Sequence, residues 1–186
     1  MNNVYSWIYL DDTNNIWKFI RNDNKELTYA IMYAEGKWTK ESIIDKGVLE
    51  FTLCVDDDGM IHIVYSNTKR EIKYCTLRDE QWVGKLVYSL SDDAFDIDDL
   101  SIEVIGNEMH IFYILKDNDD SGHGVLLHQL WDGKKTEAVF SQDIILVANV
   151  RKSYVVRIDE DGRIYMAFIT DEGDETSVNL CIYQDG

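Results

Sequence analysis

The chain has 186 residues, 18 Lys+Arg against 35 Asp+Glu for a formal net charge of −17, and is 45% hydrophobic and 12% aromatic. That apolar content supports a packed core and excludes disorder. The charge argues against nucleic acid or an anionic membrane surface as partner, because phosphate binding needs a basic stripe. The longest apolar run, Ile144-Ile145-Leu146-Val147-Ala148, falls far short of the ~20 residues of a membrane span. Met1-Asn2-Asn3-Val4 has neither a basic nor an apolar leader segment, so a cytoplasmic location is expected.

In chain order, apolar residues alternate with period two almost everywhere, which is the strand pattern. A first run at 4–10 leads to Asn14-Asn15-Ile16-Trp17-Lys18-Phe19, and a further alternating run covers 27–33. The second unit is the clearest: Phe51-x-Leu53-x-Val55, then Asp56-Asp57-Asp58-Gly59-Met60-Ile61-His62-Ile63-Val64-Tyr65, then a strand at 72–77. Gly106-Asn107-Glu108-Met109-His110-Ile111-Phe112-Tyr113 and Asp161-Gly162-Arg163-Ile164-Tyr165-Met166-Ala167-Phe168 open the third and fourth units, with later strands at 125–130 and 178–183. A Trp after the next turn, Trp38 or Trp82, is expected to open an outer strand in the first two units. Ile61, Ile63, Tyr65, Ile72, Tyr74, Trp82, Ile111, Tyr113, Ile164 and Phe168 are the expected core.

The spacing predicts an all-β, propeller-like chain of four repeats, at about 1–46, 47–92, 98–142 and 149–186, each with about four antiparallel strands. Each sheet buries its faces on its neighbours. The fourth repeat reaches only three strands before the Asp185-Gly186 turn. The expectation is a partial propeller, as part of a longer chain or as a self-associating homodimer, with a closed four-bladed monomer as the alternative.

The unit Asp-x-Asp-Gly-x-Ile-His-Ile-x-Tyr, followed by Ile-x-Tyr and a Trp, resembles the BNR or sialidase-like β-propeller repeats of bacterial proteins. The stricter Ser-x-Asp-x-Gly-x-x-Trp box of true sialidases is not matched. The six arginines, Arg21, Arg70, Arg78, Arg151, Arg157 and Arg163, stand at unrelated phases of the repeat, so a sialidase-like arginine triad is not expected.

The chemistry-bearing residues divide by spacing. Cys54, Cys75 and Cys181 are odd in number and widely spaced, so they read as buried thiols rather than a disulfide or zinc framework. His62 and His110 stand where other units carry Trp17 and Tyr165, which marks a half-polar packing position. Asp117-Asn118-Asp119-Asp120-Ser121-Gly122 fits the first half of a calcium loop, but its twelfth position is His128 instead of Glu, so no tight metal site and no cofactor is expected. Glycosidase chemistry needs two carboxylates at a fixed separation; among 35 acids the spacing singles out no pair.

The loops between second and third strands (21–26, 66–71, 116–124 and 170–177) should gather on one face. The candidate ligand residues there are Arg21, Asn67 and Arg70, with Asp117, Asp119 and His123 on the longest loop. Non-catalytic binding or scaffolding, of a glycan or a protein partner, is the first functional reading. A glycoside hydrolase or lyase fragment on the same fold is the alternative.

Overall fold

A computed structural model describes residues 6–119, 121–150, 152–173 and 175–183. Val4, Asp120, Arg151 and the Asp185-Gly186 turn lie outside the described residues. Fifteen strands form four antiparallel sheets, each a simple meander. Sheet 1 holds β1 (Ser6–Leu10), β2 (Ile16–Arg21), β3 (Glu26–Met32) and β4 (Ser42–Lys46). Sheet 2 holds β5 (Val48–Val55), β6 (Ile61–Asn67), β7 (Glu71–Arg78) and β8 (Gln81–Ser89). Sheet 3 holds β9 (Phe95–Ile105), β10 (Glu108–Asp117), β11 (His123–Trp131) and β12 (Thr136–Ile145). Sheet 4 has three strands, β13 (Tyr154–Ile158), β14 (Ile164–Asp171) and β15 (Thr176–Tyr183).

Period-two alternation gives each strand two apolar faces, and consecutive sheets bury them on one another. Phe19 and Leu27 of sheet 1 pack on Phe51, Ile63 and Tyr65 of sheet 2. On the other face of sheet 2, Val64, Ile72 and Tyr74 meet Leu100, Ile111 and Tyr113 of sheet 3. Phe112, Ile114 and Leu126 of sheet 3 then meet Tyr154, Ile164 and Phe168 of sheet 4. Nine of the ten expected core residues are buried; Trp82 is half-buried. Trp38 does not open an outer strand. It makes an isolated bridge to Met32, and β4 begins only at Ser42. Its ring lies instead beneath the Lys18 ammonium, 5.3 Å from the ring centre.

The Asp turns explain both the repeat and its variable aromatic position. Asp56 Oδ1 accepts the backbone N–H groups of Asp58 and Met60, at 3.0 and 2.8 Å. Asp11 does the same for Thr13 and Asn15, and Asp159 for Asp161 and Arg163. Gly59 and Gly162 take a positive φ (76° and 77°), and Asn14 fills that place in the first turn (62°). The second carboxylate oxygen then reaches the ring six residues on: Trp17 Nε1 at 2.8 Å, His62 Nε2 at 2.9 Å, Tyr165 OH at 3.0 Å. Trp, His and Tyr interchange because each offers an N–H or O–H at that reach. In sheet 3 the turn Gly106-Asn107 carries no Asp, and His110 Nδ1 instead lies 3.0 Å from His128 Nε2.

Candidate active site

The Asp turns occupy one end of the sheets. By register, the links between second and third strands gather at the other end, with the starts of β5, β9 and β13. Two β-bulges shape this end. In β5 the register shifts between Val48 and Glu50, and in β9 Asp99 and Leu100 together face the single residue Tyr113. Asp99 has φ +55°. Bulges break the ladder and re-aim side chains, and both sets of freed groups are used here.

Glu50 is 8% exposed, and its Oε1 accepts the Leu100 N–H, 3.1 Å away, linking sheet 2 to the bulge of sheet 3. Its Oε2 is buried without a hydrogen-bond partner. Burial pushes the Glu50 carboxyl up to about 8, the nearby Asp98 charge adds to the rise, and the Leu100 N–H opposes it. Asp99 carries the linkage onward. Its Oδ2 accepts the Ser153 N–H at 2.9 Å, Lys152 Nζ lies 3.4 Å from Oδ1, and the Tyr154 hydroxyl donates to its backbone carbonyl. Burial raises the Asp99 carboxyl too, against the Ser153 and Lys152 contacts. Asp98, between them in sequence, is exposed. It borders a groove of about 270 Å³ between sheets 2 and 3, with Ser66, Asn67, Arg70, Asp96 and Lys116. This end of the molecule therefore brings the buried Glu50 and Asp99 carboxyls, both raised by burial, an exposed carboxylate and two cations to one place.

The residues proposed from sequence divide among three places. Asn67 and Arg70 line the groove, but both also build its wall. Asn67 Oδ1 accepts the N–H groups of Lys69 and Glu71, and Arg70 holds a positive φ of 59°. The Arg70 guanidinium pairs with Asp93 at 2.7 Å and Asp96 at 3.6 Å. His123 lines a second cleft, about 330 Å³, between sheets 3 and 4, and Asp117 pairs with its ring. His123 Nδ1 is 3.0 Å from Asp117 Oδ2, and Nε2 is 3.8 Å from Asp143. Asp119 is exposed and accepts the Ser121 N–H. Arg21 ends β2, opposite Leu27, away from both clefts. Among the described residues no group of three or more His, Cys, Asp or Glu is placed to hold a metal ion.

Glu50 was not singled out by the sequence reading. Its one local signal is a lone acid inside the strand Val48-Leu49-Glu50-Phe51-Thr52-Leu53-Cys54-Val55.

No family model matches the sequence, and neither does any curated protein. Solved structures do match in shape. A polysaccharide lyase, PL25 ulvan lyase bound to -[GlcA(1-4)Rha3S]-, superposes with a TM-score of 0.64 at 12% identity, over 98% of this chain and 56% of that one. The Bacteroides ovatus xyloglucan PUL GH43B gives 0.58 at 10% identity, over 96% of this chain and 40% of that one. The GH43 endo-arabinanase from Bacillus licheniformis gives 0.52 at 10%, over 97% and 74%. The fold is propeller-like. At these identities the likeness concerns the fold, and this chain spans only part of each relative.

Proposed function

We propose that this propeller-like chain is a glycoside hydrolase, or the propeller part of one, cleaving a glycan in the groove between sheets 2 and 3. One observation carries the reading: a buried Glu50 carboxyl with a free Oε2, raised to about 8, next in sequence to Leu49 of the groove wall and within electrostatic reach of the exposed Asp98 carboxylate. Glycoside hydrolysis uses two carboxyl groups in two states, one holding a proton for the leaving oxygen and one ionised. Glu50 takes the first role. Burial keeps its proton at neutral pH, the Leu100 N–H fixes Oε1, and the buried Oε2 reaches a substrate once the groove wall at Leu49 gives way. Asp98 takes the second, as base or nucleophile. Arg70 and Lys116, on the groove lining, supply donors for sugar hydroxyls. Further support comes from the carbohydrate-cleaving proteins that share the fold.

A panel of chromogenic glycosides and soluble polysaccharides tests this. Turnover that falls by about 100-fold or more in Glu50→Gln, with the fold unchanged, supports the reading. Unsaturated products, seen by ultraviolet absorbance, would assign the chain to lyases instead. Binding on a glycan array without turnover would restore the non-catalytic reading.

A further inference from the structure

Each sheet has a rear face, toward the sheet before it, and a forward face, toward the sheet after it. Three forward-on-rear contacts are built into the chain, one in each core cluster. None of those clusters joins sheet 4 to sheet 1, so among the described residues no sheet packs on the forward face of sheet 4 or the rear face of sheet 1.

Both are apolar. Register sets Val155, Ala167 and Leu180 in one row across the forward face of sheet 4, with Ile169 and Val178 beside it. Val178 is 75% and Leu180 63% exposed. On the rear face of sheet 1 one row is Ile8, Lys18 and Ala30, and the next is Leu10, Ile16 and Met32. Ile8 is 70% and Leu10 58% exposed. Contiguous apolar rows of this kind mark an interaction surface.

We propose that the forward face of sheet 4 docks on the rear face of sheet 1 in a second copy of this chain, so that two copies close head to tail into a ring of eight sheets. The occupant follows from the faces themselves. Every packed sheet pair in this chain is forward on rear, and the two exposed faces are one of each kind. Each copy offers both, so the contact forms twice about a two-fold axis and closes. The rows themselves hold no acidic side chain, and the Lys18 in one of them is paired with Glu41 at 3.1 Å. The net charge of −17 opposes docking at longer range, where salt screens it, and association tightens as salt is added.

Sedimentation equilibrium of the 186-residue chain at micromolar concentration tests this. The expected mass is twice the 21.7 kDa of one chain, approached more closely in added salt. Ile8→Glu and Leu180→Glu should each sediment as single chains, and an equimolar mixture of the two should again form dimers, because one intact contact remains. Far-UV circular dichroism and cooperative unfolding check both variants, and Leu10→Glu or Val178→Glu replaces either one that misfolds. Wild type at the single-chain mass in all salt concentrations overturns the proposal and leaves these faces for a further sheet of a longer polypeptide. An Ile8→Glu variant that still doubles its mass also overturns it, because sheet 4 would then be pairing with itself.

Discussion

His62 donates from Nε2 to Asp56 Oδ2 at 2.9 Å, and its Nδ1 accepts from the Tyr74 hydroxyl at the same distance. The network fixes the tautomer and ties the turn before β6 to the middle of β7. Asp56 also holds two backbone N–H groups, so one side chain closes the turn and orients the ring. Desolvation alone would raise the Asp56 carboxyl, yet the His62 and backbone hydrogen bonds outweigh it and hold it below the usual carboxylate range. Asp56→Ala should lower stability by about 2 kcal/mol, the scale of a charge-assisted hydrogen bond. Urea unfolding measures this. Glycan turnover, at the opposite end of the sheets, should stay at the wild-type rate.

Ile63 is fully buried between sheets 1 and 2. Ile63→Ala removes its contacts and leaves a cavity, at a cost of about 2–5 kcal/mol. A thermal midpoint equal to wild type would show that β6 is out of the described register.

His128 makes the protein acid-sensitive. Burial, together with the neighbouring His110, pushes its imidazole down to about 3. Unfolded, the ring titrates near 6.5. Between those values the unfolded chain binds the extra proton, so this contribution is complete above pH 6.5 and is lost as the pH falls toward 3. Urea midpoints should drop through that window in wild type, and the slope should flatten in His128→Leu. An identical slope in the variant would contradict the assignment.

Glu50 acts in the opposite direction. Its folded carboxyl, at about 8, lies above the unfolded value of 4.5. The folded state holds the extra proton between these values, so stability falls as the pH rises through the window. Glu50→Gln keeps the shape and removes the charge. It should be more stable than wild type above pH 8, while turnover is lost. A variant less stable than wild type at high pH would mean that Glu50 is needed there as a carboxylate.

The strands and turns were legible because each is a local pattern: alternation, then Asp-x-Asp-Gly, Asn14-Asn15 or Gly106-Asn107. The ring at position six of the turn was legible as a packing site, but its link to the turn Asp was not, since that depends on how the hairpin folds back. Trp38 misled because an aromatic after a Gly turn looks like a strand start, whereas its indole serves as a platform for Lys18. The proposed site was hidden for a different reason. Glu50 and Asp98 are 48 positions apart and are linked only through two bulges and the Leu100 N–H, and nothing in alternation marks where a strand takes an extra residue. The loop residues chosen from sequence lie at the same end of the sheets as Glu50 and Asp98, but Asn67 and Arg70 spend much of their bonding capacity on the turn and its acids.

The most direct measurement is the titration of the Glu50 carboxyl itself. Carbon-13 NMR of the glutamate-labelled chain, with Glu50→Gln to assign the resonance, follows its protonation with pH. A proton donor at this site predicts a midpoint near 8, moving downward in Asp98→Asn as the neighbouring charge is removed. A Glu50 midpoint in the ordinary range near 4.3, unchanged in Asp98→Asn, would contradict the assignment.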